Sequence, residues 1–335
     1  MMKMEKIAVL TSGGDAPGMN AAIRAIVRTS LNNDTRIIGF KNGYEGMIDN
    51  DYVTFDKRSV GNIIQRGGSI LHTSRSLRFL KKKHRQVAEN NLRELCIDGL
   101  IVIGGEGSTK GAIELSKISK TKCVVIPATI DKDMAFVGST IGFDTAINTA
   151  LTAIDKIRDT ATTANVTHIV EVMGRNCGWL GILAGIGAGA EVTIIPEVKT
   201  NITKLAQKIK HQLNTGKKGC IIILAEGGFS KGGASLANAL KEKGNFDLRI
   251  TTLGHMQRGG NPSAVDRVLA TELGVNAVLA LKEGFSDVII AKPVATIEKV
   301  DSNKVVNAKV KVDMYLHDLI AVSYTHLTLP TMYTV

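Results

Sequence analysis

Carboxylates stand in two short segments that combine charge with glycines or turn-forming residues. Glu106 lies within Gly104–Ser108, and Asp131 and Asp133 are two residues apart in Thr129–Asp133. A carboxylate among glycines can bind Mg²⁺ directly or through water, and one of two neighbouring carboxylates can accept a proton from a hydroxyl group. These are groups needed for phosphoryl transfer to an alcohol. Helix capping is the structural alternative for Asp131.

Four arginines are candidate phosphate ligands, because the planar guanidinium group matches a pair of phosphate oxygens. They are Arg75, Arg175, Arg249 and Arg258. A surface salt bridge is the alternative role for each of them taken alone. Two glycine-rich turns, Thr11–Asn20 and Gly104–Thr109, each lead into a predicted helix and could cradle phosphate at its N-terminus. Neither matches the P-loop or the dinucleotide-binding motif, so hydride transfer loses its usual support.

Short apolar, β-branched runs alternate with helical patterns along nearly the whole chain. This alternation predicts an α/β fold with mainly parallel sheets, two of them. Ligands of such folds bind beyond the carboxyl ends of the strands, which is where the segments above lie. In the longest helical pattern, Phe143, Ile147, Leu151, Ile154 and Ile157 line one face. The predicted strands are Ile7–Leu10, Arg36–Phe40, Leu100–Ile103, Cys123–Ile126, His168–Val172, Val192–Ile195, Cys220–Leu224 and Asp287–Ile290.

The composition is that of a globular protein with an anionic ligand. The chain has 335 residues, enough for about two domains, and 44% of them are hydrophobic, which argues against disorder. The formal net charge is +11, but aromatic residues are only 4%, so small phosphorylated ligands are favoured over nucleic acid. Four widely spaced cysteines favour a reducing cytoplasm over a disulfide framework or a zinc site. We expect no signal peptide and no membrane span.

Taken in series, the motifs resemble those of the bacterial ATP-dependent 6-phosphofructokinase family. The matching runs are TSGGDAPGMNAAIR, GGEGS, PATIDKD, IGFDTA, EVMGR and GHMQRGG, in order and spacing from about Lys6 to Ala321. The resemblance implies two Rossmann-like α/β domains in each subunit of a homotetramer. It also implies transfer of the γ-phosphoryl group of MgATP to the 1-hydroxyl of fructose 6-phosphate, a step of glycolysis.

The resemblance assigns the donor and catalytic positions residue by residue. The positions implied for ATP binding are Gly14, Arg75, Gly105, Glu106, Gly107 and Ser108. Glu106 also matches the Mg²⁺ ligand, and Asp131 matches the base that takes the proton of the 1-hydroxyl. Thr129 and Arg175 would stabilise the transferring phosphoryl group, and Asp133 would support the metal and Asp131.

Two further sets of residues match ligand-binding positions of the family. The positions implied for the sugar phosphate are Thr129, Asp131, Met173, Gly174, Arg175, Glu226, Arg249, His255 and Arg258. The positions implied for an allosteric effector, a nucleoside diphosphate or phosphoenolpyruvate, are Arg24, Arg28, Arg158 and Lys217. Pyrophosphate-using relatives carry Asp at the position of Gly107 and Lys at that of Ala128, so the small residues here favour ATP as donor.

Several departures from the family pattern bear on the expected activity. Glu106 replaces the usual Asp, Lys132 replaces Asn in the catalytic turn, and Lys57-Arg58 stands where many members have Arg-Tyr. Val166 stands where bacterial members carry an Arg that reaches the sugar 6-phosphate across a subunit interface. Losing such a charged hydrogen bond would weaken substrate binding about ten- to hundredfold. Two alternatives therefore stay open: a catalytically weak, effector-binding regulatory subunit, and a kinase for a related sugar phosphate or with a different donor.

The family pattern also predicts the domain organisation. We expect a nucleotide-binding domain of residues 1–141 and 256–306, and a sugar-phosphate-binding domain of residues 142–255 and 307–321. The last fourteen residues, 322–335, contain four Thr and one Pro, a poor composition for a helix, and do not match the family. We expect them to form an unrelated tail, disordered or artefactual and without function.

Overall fold

The computed structural model describes residues 4–216 and 218–322, with side chains described up to residue 320. The chain divides into two compact units, one of residues Met1–Thr145 and Arg258–Val310, the other of residues Ala146–Gln257 and Lys311–Val335. Most of the predicted tail, 323–335, lies outside the described residues.

Strands and helices alternate along the chain. The strands within the described residues are β1 (Lys6–Thr11), β2 (Arg36–Phe40), β3 (Tyr52–Thr54), β4 (Gly99–Gly104), β5 (Lys122–Pro127), β6 (Thr167–Val172), β7 (Val192–Ile194), β8 (Cys220–Ala225), β9 (Leu248–Thr252), β10 (Val288–Ala291) and β11 (Glu298–Asp301). The helices are α1 (Met19–Asn32), α2 (Tyr44–Asp49), α3 (Lys82–Glu94), α4 (Glu106–Ser116), α5 (Phe143–Ala164), α6 (Trp179–Gly187), α7 (Ile202–Asn214), α8 (Gly232–Lys241), α9 (Ala264–Lys282), α10 (Ser302–Val306) and α11 (Met314–Val322).

The first unit is built on a seven-stranded sheet in the order β11-β10-β5-β4-β1-β2-β3. All neighbouring pairs are parallel except those of the two edge strands, β3 and β11. The central strand β4 is buried along its whole length, which explains its uninterrupted apolar run. Helices α1 and α9 pack together where Gly274 lies against Ala25, since a Cβ on Gly274 would be 2.8 Å from the Ala25 Cβ.

The second unit is built on a four-stranded parallel sheet in the order β7-β8-β6-β9. One face of this sheet packs against α7 and α8, where Ile169, Ile222 and Leu224 meet Ile209 and Leu236 in a buried cluster. The N-terminus of α7 is capped by Asn201, whose side chain accepts a hydrogen bond from the backbone N–H of Lys204. In both sheets the parallel strands place their carboxyl ends at one edge.

A buried carboxylate fixes the beginning of α5. Asp266, on α9 and only 1% exposed, accepts hydrogen bonds from the backbone N–H groups of Gly142 and Thr145, each at 2.8 Å. Ser263, the N-cap of α9, donates its hydroxyl to Asp144 of α5. Burial raises the pKa of the Asp266 carboxyl, although its hydrogen bonds with Thr145 and Gly142 act in the opposite direction. The first turns of α5 and α9 therefore hold each other.

The predicted α/β class with mainly parallel sheets is confirmed, and each of the eight predicted strands overlaps an observed one. Asp287, predicted to open a strand, instead has a φ of 59° and precedes β10. Three strands escaped prediction: β3, β9 and β11. No helix in the described part of the chain combines the length and apolar character needed to cross a membrane.

Candidate active site

Three loops of the first unit meet at the carboxyl edge of its sheet, because they follow the neighbouring strands β1, β4 and β5. The backbone N–H of Ser12 donates to the carbonyl of Ile103 at 2.9 Å, and that of Ala128 donates to Gly104 at 3.0 Å. These bonds extend the strand pairing into the loops. The glycine-rich turns and the acidic turn predicted from the sequence are thus brought together.

The turn after β4 leads directly into α4, with Gly105 as N-cap and Glu106 as first helical residue. Gly107 is exposed, and no atom lies within 4 Å of the point where its Cβ would be. Ser108 is buried, and its carbonyl accepts a 2.6 Å hydrogen bond from the hydroxyl of Tyr44. The turn therefore combines a fixed backbone, an open surface and the N–H groups of a helix N-terminus, which suits a phosphate group.

The carboxylate of Glu106 forms an ion pair with Lys110, one turn further along α4. Within the described residues, no group of three or more His, Cys, Asp or Glu side chains could enclose a metal ion. Mg²⁺ commonly uses one or two carboxylates and completes its shell with water and substrate phosphate oxygens. Glu106, whose side chain is 38% exposed, fits an ion of this kind that is shared with nucleotide phosphates.

Arg75 is exposed in a loop that is held against the turn after β1. The buried side chain of Asn20 donates to the carbonyls of Arg66 and Gly67 and accepts from the N–H of Ile70. Closer to Arg75, the N–H of Gly13 donates to the carbonyl of Ser74. Arg75 is therefore carried to the glycine-rich turn that contains Gly14. In the same unit, the guanidinium of Arg258 lies directly over Gly14.

Asp131 is the more buried of the two carboxylates in the acidic turn, with 4% of its surface exposed. The hydroxyl of Thr129 accepts a hydrogen bond from the backbone N–H of Asp131 and donates to Asp133 at 3.3 Å. The next helix, α5, begins only at Phe143, so Asp131 is not a helix cap. Lys132 has a φ of 51°, and its Nζ lies 5.0 Å from the ring centroid of Phe143. The turn joins the three predicted residues Thr129, Asp131 and Asp133.

In the second unit, the loops after the neighbouring strands β6 and β8 also touch each other. Gly174 and Arg175 have φ angles of 136° and 52°, so the chain turns sharply after Met173. The N–H of Arg175 donates to Glu226 at 3.1 Å. A Cβ on Gly227 would be 2.6 Å from the carbonyl oxygen of Arg175, so a glycine is required there. Met173, Gly174, Arg175 and Glu226, predicted separately from two motifs, thus form one cluster.

Arg249 and His255 are less closely tied to that cluster. Both are exposed, Arg249 on the edge strand β9 and His255 in the 3₁₀-helix Gly254–Arg258. The Arg249 guanidinium lies 3.6 Å from the carboxylate of Asp247. Within the described residues neither side chain hydrogen-bonds to the loops after β6 and β8. Val166 is buried just before β6.

The four predicted effector residues are found in different surroundings. Arg24 and Arg28 are neighbours on α1, and burial together with the Arg28 charge lowers the pKa of Arg24. Arg158 in the second unit donates to the carbonyls of Ala188 and Gly189, at 2.8 and 2.7 Å, beside the C-terminus of α6. It also lies 3.4 Å from the buried carboxylate of Glu191. Lys217 lies outside the described residues.

Several side chains that hold these loops were not among the predicted site residues. Asn20 and Gln257 lie inside motifs quoted above, so the motifs themselves were the available signal. Tyr44 and Lys110 lie outside the quoted motifs. Their contacts with Ser108 and Glu106 become visible only once the chain is folded.

An α/β fold with glycine-rich turns, a buried acidic turn and arginines at the strand ends defines a phosphoryl-transfer enzyme. The family model described as phosphofructokinase matches residues 6–281. The chain therefore belongs to the phosphofructokinase family, as its motifs predicted.

Similar proteins and solved structures agree with this assignment. The ATP-dependent 6-phosphofructokinase of Clostridium novyi (strain NT) is 47% identical over 316 residues, which are 94% of this chain and 98% of that protein. The protein of the same description from Clostridium acetobutylicum is 50% identical over 287 residues, 86% of this chain and 89% of that protein. Phosphofructokinase from Saccharomyces cerevisiae superposes with a TM-score of 0.84 at 33% identity, over 90% of this chain and 45% of the yeast chain. Pyrophosphate-dependent phosphofructokinase from Marinobacter aquaeolei superposes with a TM-score of 0.81 at 20% identity, over 93% of this chain and 86% of that chain, and shows the fold alone.

Proposed function

We propose that this protein transfers the γ-phosphoryl group of ATP to the 1-hydroxyl of fructose 6-phosphate, giving fructose 1,6-bisphosphate and ADP in glycolysis. The observation that carries the proposal is the buried Asp131, set in the turn Thr129–Asp133 beside the glycine-rich turn Gly105–Ser108. A base and a phosphate cradle at one sheet edge are the two parts that this reaction needs first. The names of the Clostridium relatives supply the substrates.

The donor is bound by residues of the first unit. Gly14 and Arg75 contact ATP, and the N–H groups at the start of α4 receive its phosphates. Glu106 would hold Mg²⁺, which when bound neutralises charge on the phosphate oxygens. Gly107 supports ATP over pyrophosphate because the space beside it is open. Ala128 is equally small, and it is buried.

Asp131 is the base of the reaction. Its carboxylate takes the proton of the 1-hydroxyl as the oxygen attacks the γ-phosphorus. The hydroxyl of Thr129, which already bonds to the Asp131 backbone and to Asp133, keeps the turn in place. The guanidinium of Arg175 stabilises the negative charge on the transferring group, and Asp133 supports the metal and Asp131.

The sugar phosphate is bound by the cluster in the second unit. Met173, Gly174, Arg175 and Glu226 share one pair of loops, whose backbone is fixed by hydrogen bonds. A guanidinium fork binds a phosphate dianion through paired hydrogen bonds, which suits Arg249 and Arg258 to the 6-phosphate. His255 completes the set as a hydrogen-bonding partner.

We infer a cytoplasmic homotetramer that binds a nucleoside diphosphate or phosphoenolpyruvate as effector. The like-charged pair Arg24 and Arg28 supports an anionic ligand, because no acidic side chain within the described residues forms an ion pair with either.

ADP release with MgATP and fructose 6-phosphate tests the proposed reaction. The Asp131→Asn variant should lose about 10²- to 10⁴-fold in kcat, the usual contribution of a general base. Asp155→Asn, the same change at an exposed position of α5, should leave kcat unchanged. Equal activity of the Asp131→Asn variant and the parent, or turnover with pyrophosphate in place of ATP, would refute the proposal.

A further inference from the structure

Gln257 is a fully buried amide in the middle of a segment that the proposed function uses at both ends. It lies in the 3₁₀-helix Gly254–Arg258, and none of its surface is exposed. His255 precedes it and Arg258 follows it, both assigned to the sugar phosphate. Gln257 lies inside the motif GHMQRGG but takes no part in the proposed mechanism.

The carbonyl group of the Gln257 side chain reaches the other sugar-phosphate segment of the second unit. Its Oε1 accepts a hydrogen bond from the backbone N–H of Met173 at 2.8 Å, across 84 positions of sequence. Met173 opens the sharp turn that continues through Gly174 and Arg175. Residues with positive φ are outside regular strand or helix geometry, so this turn depends on side chains to fix its backbone.

Two other hydrogen bonds hold the same turn further along. The N–H of Arg175 donates to Glu226, and the N–H of Cys177 donates to the carbonyl of Gly174 at 2.9 Å. Neither partner belongs to the 3₁₀-helix. The side chain of Gln257, in contrast, ties the Met173–Arg175 turn to the segment that carries His255.

The amide nitrogen of Gln257 argues against a role in stability alone. Within the described residues, Nε2 is buried and has no hydrogen-bond partner. A buried, unsatisfied polar group destabilises a fold, and an apolar side chain of the same length would avoid that penalty. The oxygen, however, has a specific partner. The arrangement is costly for packing but sets the position of the Met173 backbone.

We propose that Gln257 is a positioning residue for sugar-phosphate binding. Its Oε1 holds the N–H of Met173 and thereby fixes Gly174 and Arg175 relative to His255. This inference rests on the proposed function only for the identity of the ligand, because the link between the two segments is a property of the free protein.

Two substitutions of nearly equal size separate positioning from packing. Gln257→Met removes the acceptor and leaves the Met173 N–H without a partner, so KM for fructose 6-phosphate should rise about fivefold or more. Gln257→Glu keeps an oxygen at the same reach, so KM should stay within about twofold of the parent. Burying a carboxyl should nevertheless lower Tm more than burying a thioether does. KM for ATP should change in neither variant.

Kinetics and stability should therefore rank the two variants in opposite orders. A KM for fructose 6-phosphate that follows Tm, or a folded Gln257→Met variant with unchanged KM, would overturn the proposal in favour of packing alone.

The fluorescence of the protein without ligand provides an independent test. Trp179 is the single tryptophan of the chain and begins α6, just after the turn. Its emission should shift in Gln257→Met and not in Gln257→Glu. This measurement stands even if the parent enzyme shows no turnover, which would refute the proposed function but not the positioning role. The absence of any shift in Gln257→Met would count against the positioning role.

Discussion

The guanidinium of Arg258 lies over Gly14, so close that a side chain at position 14 has no room. A Cβ placed on Gly14 would be 2.7 Å from Nη1 of Arg258 and 3.2 Å from its Cζ. Real Cβ atoms do not approach other atoms this closely, so one of the two must move. Gly14 is therefore needed for the position of an arginine, in addition to any close approach of the donor.

Gly14→Ala should displace Arg258 without unfolding the protein. A flexible side chain can move at small cost, and Gly→Ala changes that fit the backbone stabilise by about 0.4–1 kcal/mol. We expect Tm to stay near that of the parent. Because the displaced guanidinium no longer matches a phosphate group, KM for fructose 6-phosphate should rise about tenfold or more.

A double-mutant cycle with Arg258→Ala checks this explanation. If the methyl group acts only by displacing Arg258, Gly14→Ala should have little further effect on KM for fructose 6-phosphate once Arg258 is removed. Fully additive effects would show that Gly14 acts independently of Arg258.

Gly107→Asp should impair ATP use while leaving the fold intact. The space around Gly107 is open, so an added side chain meets no protein atom, and surface changes of this kind usually alter stability by less than about 0.5 kcal/mol. The new carboxylate would face the phosphates of ATP, and like charges in contact cost several kcal/mol. KM for ATP should therefore rise at least about tenfold.

Gly107→Asn, which has the same shape without the charge, is the control. Equal losses in both variants would mean that size, not charge, sets donor choice here.

The elements that could be predicted from the sequence are the buried ones. Strands such as β4 are buried on both faces, so their apolar runs are unmistakable. The three strands that escaped prediction, β3, β9 and β11, are all at sheet edges. An edge strand can carry charge, as Glu298–Asp301 does, and its pairing depends on the neighbouring strand more than on its own pattern.

The candidate site shows the same division between local and distant signals. Motif order identified the loops, and the topology then explains why Gly105 and Thr129 are close together. Contacts such as Gln257 with Met173 join residues far apart in the chain, and no local spacing encodes them. Glu106 and Lys110 are four residues apart, which is the spacing of ion pairs on a helix. That spacing indicates a contact only once the helix is known to begin at Glu106.

Lys110→Met should increase the apparent affinity for Mg²⁺. Lys110 forms an ion pair with Glu106, the proposed metal ligand, and so partly neutralises its carboxylate. The two side chains are 56% and 38% exposed. An exposed pair contributes at most about 1 kcal/mol, so Tm should hardly change. Without the lysine, the Glu106 carboxylate is available to the metal, and half-maximal activity should require about two- to fivefold less Mg²⁺.

The same helix offers a matched control for this prediction. Lys117 forms an equally exposed ion pair with Glu114 at the other end of α4, away from the glycine-rich turn. Lys117→Met should leave the Mg²⁺ requirement unchanged. A similar shift in both variants would trace the effect to net charge.

Asp266→Asn should change how the stability of the protein depends on pH. Burial raises the pKa of the Asp266 carboxyl in the folded protein above its ordinary value of 3.8. The folded state then binds more protons than the unfolded state. The contribution of this group to the free energy of unfolding is therefore fully present below pH 3.8 and is lost as pH rises through the folded pKa. Asparagine does not titrate, and its amide replaces only one of the two acceptor oxygens that serve Gly142 and Thr145. The variant should therefore be less stable, by about 1–3 kcal/mol.

The difference between parent and variant should be largest near pH 4 and smaller at pH 7. Denaturant unfolding at a series of pH values measures this difference, with the exposed Asp155→Asn as control. A difference that grows with rising pH would mean that the hydrogen bonds to Asp266 outweigh its burial.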